Sequence, residues 1–255
     1  MKRSAVGSLL RTTQAYCIQV CEKQTLEYGI AYSCERFPDL AEVQQFREVI
    51  AKEPQTLEKA LHEAEGHFAS LQRRFQVIAL AEDTPSDSST EFFASHGFHP
   101  KRYRAMALTE WIDLPTVDTV RILPARPMRA ALKATFDDDA RADLCDLRLD
   151  DPQYDMFVAT VDGKPAGRCA LYQVGDIARV MDFHLNATAN RDEVERALLK
   201  QVLAMARRLE MRNICTLIEE GRDDAVQLMT DAGFTHDGDI VEFHRSDPDQ
   251  VNEHS

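Results

Sequence analysis

The chain has 255 residues, of which 44% are hydrophobic, and a formal net charge of −13. This length suits one large domain or two small ones, and the composition is that of a globular protein with a buried core. The negative charge argues against nucleic acid or an anionic membrane surface as the main partner. Six scattered cysteines without a C-x-x-C pair, and no long apolar run, predict reduced thiols, no membrane span, no signal peptide and a cytoplasmic location.

The first half of the chain contains strand and helix patterns separated by proline and glycine. Its predicted elements, in order, are strands at 15–21 and 28–34, helices at 39–50 and 54–74, a strand at 75–81, a helix ending at 96, the pair Gly97-Phe98 and a strand at 103–108. The helix at 54–74 opens on Pro54, which suits a first turn, and its apolar residues recur at helical spacing. His62 and His67 lie on different sides of that helix, so no metal site is predicted.

The second half follows a short connector at 111–115. Its predicted elements, in order, are a strand at 119–123, helices at 129–136 and 138–149, strands at 157–161, 168–173 and 177–185, a polar loop, a helix at 194–209, a strand at 213–219, a helix at 223–232, the pair Gly233-Phe234 and a strand at 240–244. Asp162-Gly163 is a tight hairpin signal between the first two of the three consecutive strands. The acidic run 137–139 is placed to cap the helix that follows it.

This succession of elements resembles the GNAT superfamily of acetyl-CoA-dependent N-acetyltransferases, over about residues 119–245. The resemblance implies an α/β (α+β) fold with a mixed, largely antiparallel sheet flanked by helices. Each half of the chain ends on helix, strand, helix, Gly-Phe and strand, which indicates a tandem repeat. We therefore expect a degenerate GNAT-like module at 1–112, a GNAT-like N-acetyltransferase module at 116–246 and a polar tail at 247–255.

The resemblance also implies where acetyl-CoA binds. In the family, backbone amides of the loop before the long helix hold the pyrophosphate, and the preceding strand holds the acetyl group. The residues aligned with these roles are Phe183, Leu185, Asn190, Arg191, Glu193, Val194 and Glu195. Glu193 and Glu195 stand where the family has glycines, so side chains fill the space and carboxylates repel a pyrophosphate. Asp192 and Glu195 have the spacing of a capping box, which predicts that the helix start is neutralised by its own side chains.

The family's usual general acid is a tyrosine four positions before the Gly-Phe pair. Met229 and Phe93 occupy that position in the two halves. Asp182 and His184 are the remaining catalytic candidates, because strand alternation places both on one face and Met181, Phe183 and Leu185 on the other. They are either the polar side of a half-buried strand or a carboxylate and an imidazole that face an amine.

Two functions remain open at this point. By resemblance, the chain transfers an acetyl group from acetyl-CoA to a small-molecule or peptide amine by direct attack. The alternative is a catalytically degenerate GNAT-fold protein that acts as a ligand-binding or protein-interaction module. A third arrangement places CoA in the first module or at the junction. The acceptor and the oligomeric state are not predicted, and neither nucleic acid nor membrane is expected as a partner.

Overall fold

The computed structural model describes residues 4–81, 85–186 and 191–245, and these residues form two compact units. The N-terminal unit contains the described residues within 14–103 and 239–245, and the C-terminal unit contains those within 4–13 and 104–238. Asn190 and the tail at 247–255 lie outside the described residues. The module boundaries 1–112 and 116–246 stay a prediction about how the repeat is arranged along the chain.

Seven α-helices and eleven strands make up the described chain. The helices are α1 (Ala5–Val20), α2 (Pro54–Ser70), α3 (Asp87–Ser95), α4 (Arg129–Lys133), α5 (Asp139–Arg148), α6 (Arg191–Arg208) and α7 (Asp223–Asp231), with short 3₁₀ helices at Ala41–Val43 and Arg126–Met128. The strands are β1 (Glu22–Thr25), β2 (Ile30–Ser33), β3 (Gln45–Val49), β4 (Val77–Leu80), β5 (Phe98–Leu108), β6 (Arg121–Pro124), β7 (Tyr154–Val161), β8 (Lys164–Val174), β9 (Ile177–Leu185), β10 (Asn213–Glu219) and β11 (Phe234–Arg245).

The sheet of the C-terminal unit contains the predicted meander. Its strand order is the first part of β11, the second part of β5, then β10, β9, β8, β7 and β6. Strands β6, β7, β8 and β9 pair antiparallel with one another in that order, whereas β10 runs parallel to β9. The predicted hairpin turn is confirmed, because Asp162 and Gly163 both have positive φ, at 50° and 77°.

Helix α6 covers one face of this sheet through its apolar stripe. Val194, Leu198 and Val202 are fully buried in a cluster that includes Leu171 and Val180 of the strands. At about 25 cal/mol per Å² of buried apolar surface, this stripe is the main reason the helix docks on the meander.

Helices α4 and α5 pack against each other, and α5 begins as the acidic run predicts. The Asp138 carboxylate accepts hydrogen bonds from the amides of Ala140 and Arg141, at 2.8 and 3.2 Å. The negative charge therefore satisfies orphan amides at the positive end of the helix.

The N-terminal unit has the strand order β1, β2, β3, β4, the second part of β11 and the first part of β5. Its core is aromatic, with the Phe75 ring 5.2 Å from Phe68 and 5.7 Å from Phe98. Helix α2 buries Leu57, Leu61, Ala64 and Phe68 against this core as predicted, whereas Leu71, the fifth residue predicted for this stripe, follows the end of the helix and is half-buried.

Two elements of the N-terminal half were predicted with the wrong type. Residues 15–21, expected as a strand, lie mostly in α1, whose buried residues Ala5, Leu9 and Thr12 recur at helical spacing. Residues 39–50, expected as a helix, form a 3₁₀ turn and strand β3. Phe46 and Val49 are both buried although they lie three positions apart, because a β-bulge adds a residue between them. This spacing of apolar residues imitates the period of a helix.

Candidate functional site

Strands β9 and β10 of the C-terminal unit separate partway along their length. Their parallel pairing runs from Ile177 opposite Asn213 to Val180 opposite Thr216. Beyond it β9 continues over residues 181–185, paired only with β8 in the described chain, and β10 continues to residue 219. The edge of β9 that faces β10 therefore offers backbone N–H and C=O groups to a ligand that can pair like a strand.

Asp182 lies at a β-bulge where the strands separate. The β8–β9 register shifts between Arg168 and Ala170, and Asp182 has a φ of 52°. A bulge redirects a side chain, and Asp tolerates the left-handed conformation better than most residues do. The N-terminal unit repeats this device, because Glu48 has a φ of 55° at the bulge of β3. The bulge at Glu48 was not predicted, because the sequence pattern assigned residues 39–50 to a helix.

The Asp182 carboxylate is held by a buried tyrosine. The Tyr154 hydroxyl donates a short hydrogen bond to Asp182 Oδ2, and Cys145 Sγ lies 3.8 Å from the same hydroxyl. Burial and the Asp182 charge raise the pKa of Cys145 to about 12 and raise that of Cys169 well above its ordinary value. Both thiols are therefore protonated at neutral pH and are poor nucleophiles.

Arg168 connects the sheet to the turn between α4 and α5. Its guanidinium lies 3.5 Å above the centre of the Phe136 ring, and its Nη1 donates to the backbone oxygen and the hydroxyl of Thr135. Burial lowers the pKa of this guanidinium, while Asp182 opposes the change. The arginine is thus a fixed charge beside the Asp182 carboxylate.

His184 is opposite Arg168 in the strand register. Burial and the Arg168 charge lower the pKa of His184, and Asp137 partly opposes them. The imidazole is therefore neutral near pH 7 and able to accept a proton. The two catalytic candidates, Asp182 and His184, share Arg168 as a neighbour.

The apolar residues of β9 only partly follow the predicted alternation. Phe183 and Leu185 pack against the hydrophobic cluster beneath α6, on the face expected for them. Met181 was expected on that face, but it pairs with Ala170 and is outside this cluster. The bulge adds a residue between Met181 and Phe183, so strict alternation fails across it.

The capping box predicted for α6 is wrong. The helix begins at Arg191, so Asp192 lies inside its first turn. The Glu193 carboxylate accepts from the Thr119 hydroxyl at 2.6 Å, and Glu195 accepts from Arg191 Nε at 3.2 Å. Both carboxylates have partners other than the helix amides, and Val194 between them is fully buried.

An ion network joins the starts of α6 and α7. Arg191 Nη2 lies 2.8 Å from Asp224 Oδ2, and Arg222 Nε lies 3.1 Å from Asp224 Oδ1. Arg222 holds the pKa of Asp224 below its ordinary value, so this carboxyl is ionised. We refer to Glu195, Arg191, Asp224 and Arg222 as the α6–α7 ion network.

The N-terminal unit has a cavity of about 310 Å³ at the ends of β3 and β4. It is lined by Val49, Ile50, Ala51, Lys52, Leu80, Ala81, Pro85, Ser86 and Ser89. Here the two strands stay together, because Val49 pairs with Leu80 and the Ala81 amide donates to the Val49 carbonyl at 2.9 Å. This cavity therefore lacks the separated strand edge found in the C-terminal unit.

The other positions that the sequence singled out for chemistry are buried in the hydrophobic cores. Met229 and Phe93, at the positions where the resemblance implies a tyrosine, are 3% and 2% exposed and belong to the two cores. The six cysteines are buried, and none of them forms a disulfide. Among the described residues, no group of three metal-binding side chains is arranged to hold an ion, and no helix there has the length and apolarity to span a membrane.

Solved structures share this architecture, although neither a protein-family model nor a curated protein matches the sequence. A GCN5-related N-acetyltransferase from Kribbella flavida aligns over 99% of both chains, with a TM-score of 0.68 and 12% identity. A conserved protein of unknown function from Staphylococcus epidermidis ATCC 12228 aligns over 88% of this chain and 94% of its own, with a TM-score of 0.65 and 11% identity. A tandem GNAT protein from the clavulanic acid biosynthesis pathway aligns over 86% of this chain and 80% of its own, with a TM-score of 0.52 and 14% identity.

Proposed function

We propose that this chain, which has the fold of the GCN5-related N-acetyltransferases, transfers an acetyl group from acetyl-CoA to an amine. The observation that carries this proposal is the free edge of β9 beside β10, with the Asp182 carboxylate at the bulge where that edge begins. Such an edge suits a ligand with amide groups, and the carboxylate suits a reaction that releases a proton.

The donor is proposed to lie along residues 181–185. The pantetheine arm of acetyl-CoA contains two amides, which can pair with the backbone of Phe183 and Leu185 as an added strand does. The side chains of these two residues keep the edge rigid, since they pack into the cluster beneath α6. The nucleotide end then reaches the start of α6, where Asn190, Arg191, Glu193, Val194 and Glu195 were predicted to contact it.

The acceptor is proposed to approach from the face of Asp182 and His184. The amine nitrogen attacks the thioester carbonyl, the bond to sulfur breaks, and a nitrogen-bound proton passes to Asp182 or the neutral His184. The same groups then return a proton to the departing thiolate, because the family's tyrosine position is Met229 here. The protonated thiols of Cys145 and Cys169 favour direct transfer over an acyl-enzyme.

The competing hypothesis is a ligand-binding module without catalysis. Its support is the absence of a general-acid tyrosine at Met229 and Phe93, together with the N-terminal cavity, which is mostly apolar and could hold a ligand by itself. Both hypotheses can use the free strand edge, but the carboxylate of Asp182 and the imidazole of His184 beside it favour the enzyme, because a site that only binds a ligand needs no proton acceptor there.

Hydrogen exchange with and without acetyl-CoA tests where the donor binds. We expect protection of residues 181–185, and we expect Ala81→Trp, which fills the N-terminal cavity at an exposed position, to leave that protection unchanged. Protection confined to residues 49–52 would place the donor in the N-terminal unit instead.

Release of CoA thiol in the presence of a panel of small-molecule and peptide amines tests the reaction. The six buried cysteines give a low background in a thiol assay. Protection of 181–185 without thiol release from any amine would favour the ligand-binding module.

A further inference from the structure

We infer that the donor site recognises the pantetheine arm of an acyl thioester and gains little from its nucleotide, so that acyl-pantetheine thioesters are donors of nearly equal affinity. This inference rests on the proposed function, because it concerns the same strand edge. It extends that function by naming the class of donor.

The charge at the starts of α6 and α7 carries the inference. A CoA nucleotide brings a diphosphate and a further phosphate to this end of the site. The described side chains at these two helix starts include five carboxylates and three arginines: Asp192, Glu193, Glu195, Asp223, Asp224, Arg191, Arg222 and Arg104. A helix start normally attracts a phosphate through its dipole, but acidic side chains in the first turn use up that attraction.

All three arginines are already engaged by carboxylates, Arg104 by Asp223 at 3.5 Å. Arg191 is 3.2 Å from the Glu195 carboxylate and 2.8 Å from Asp224, and Arg222 contacts both oxygens of Asp224 at 3.1 and 3.3 Å. A phosphate that contacts Arg191 or Arg222 therefore lies beside the Asp224 carboxylate, whose charge opposes its binding. The α6–α7 ion network thus resists the nucleotide.

The pantetheine arm binds away from these charged side chains. Its contacts are the backbone edge of residues 181–185, supported by Phe183 and Leu185 in the cluster beneath α6. Backbone pairing and apolar contact do not depend on the net charge of the ligand. Affinity is therefore concentrated in the part of the donor that acyl-pantetheine and acyl-CoA share.

Isothermal titration of the full chain with S-acetyl-pantetheine and acetyl-CoA tests this inference. We expect the two dissociation constants to agree within about threefold at an ionic strength of about 0.1 M, where screening acts over about 10 Å. Raising the salt should tighten acetyl-CoA binding, because it screens repulsion, and should leave S-acetyl-pantetheine unaffected.

A charge variant and its matched control sharpen the test. Asp224→Asn removes the carboxylate that Arg191 and Arg222 share and leaves the contact of Arg191 with Glu195, so we expect it to tighten acetyl-CoA binding by about fivefold and to leave S-acetyl-pantetheine unchanged. Asp231→Asn removes another exposed carboxylate from the far end of α7 and should change neither affinity.

Acetyl-CoA that binds at least about thirtyfold tighter than S-acetyl-pantetheine, with affinity that falls as salt rises, would overturn this inference and leave the proposed function standing. If neither thioester binds, the donor site itself is wrong, and the proposed function fails together with the inference.

Discussion

At the scale of single residues, the position of Asp182 depends on one backbone angle. Its φ of 52° places the carboxylate at the bulge within reach of Tyr154. Asparagine tolerates this conformation as well as aspartate does, whereas alanine adds strain. Asp182→Asn therefore removes the charge while it keeps the backbone.

We expect Asp182→Asn to slow acyl transfer by about 10²-fold or more, the usual loss when a general base is removed, with little change in melting temperature. Asp162→Asn is the matched control, since Asp162 has a φ of 50° in an exposed hairpin turn. Thiol release and thermal unfolding of both variants check this. Equal activity of the two variants would remove Asp182 from the reaction.

His184 contributes to stability in a pH-dependent way. Burial and Arg168 lower its pKa in the folded state, so the unfolded chain binds a proton more readily. Stability from this group is therefore complete above the ordinary histidine pKa of about 6.5 and is lost as pH falls below it. We expect the unfolding free energy of His184→Gln to fall less than that of wild type between pH of about 7.5 and 5.5, as measured by urea unfolding. Identical slopes would show that the folded site does not hold the imidazole neutral.

Glu242 forms a buried ion pair with Arg47 in the N-terminal unit. Its carboxylate lies 2.6 Å from Arg47 Nη2, and the attraction of Arg47 and a hydrogen bond from His244 outweigh burial and lower its pKa to about 2. A depressed carboxyl pKa stabilises the fold above about pH 4.5, and this stabilisation is lost as pH falls toward 2.

We expect Glu242→Gln to destabilise the protein by about 3–5 kcal/mol, because it leaves the buried Arg47 charge without its partner. Replacing both partners, as in Arg47→Met with Glu242→Gln, should recover part of the loss. Chemical unfolding of the single and double variants measures this. A double variant less stable than Glu242→Gln would show that Arg47 has another role.

At the scale of elements, the repeated Gly-Phe pair ends a helix in each unit with a left-handed glycine. Gly97 follows α3 with a φ of 78°, and Gly233 follows α7 with a φ of 91°. The two differ in their surroundings. A Cβ on Gly97 meets nothing within 4 Å, whereas one on Gly233 would lie 2.1 Å from the Glu110 carbonyl oxygen.

We therefore expect Gly97→Ala to cost about 1–2 kcal/mol, the left-handed strain alone, and Gly233→Ala to cost clearly more because the Glu110 backbone must also move. Urea unfolding of the two variants gives the comparison. Equal losses would show that the close approach of Glu110 to Gly233 does not persist in solution.

At the scale of the whole molecule, the sheet of the N-terminal unit includes a strand formed by residues near the end of the described chain. Residues 239–245 pair with β4, with Phe243 opposite Ile78. Phe243 is fully buried, 4.4 Å from the Phe93 ring, and Arg245 lies 4.3 Å above Phe98. The unit is therefore incomplete without residues distant in sequence.

We expect a chain that ends at Gly238 to lose hydrogen-exchange protection in β3 and β4, because their sheet lacks a strand and the aromatic core is opened. Strands β7 to β9 contain none of the deleted contacts and provide the internal comparison. Unchanged protection of β3 and β4 would mean that residues 14–103 fold without the final strand.

Much of this molecule could be predicted from local sequence. The meander β7 to β9, the stripe of α2 and α6, the Asp138 cap and the two Gly-Phe helix ends all follow from turn residues and hydrophobic periodicity. These signals depend on residues that are close together in the sequence, so they can be interpreted without knowing which elements pack together. They also sufficed to indicate the GNAT fold and to single out Asp182 and His184.

Other features were decided only by tertiary structure. The bulges at Glu48 and Asp182, the separation of β9 from β10, the Tyr154–Asp182 contact and the α6–α7 ion network all depend on which strand or helix lies alongside. Strand register and bulges are set by pairing partners far away in sequence, and local periodicity cannot encode them. The free energy of packing and pairing across the sheet therefore places the candidate site, while the sequence alone identifies the elements from which it is built.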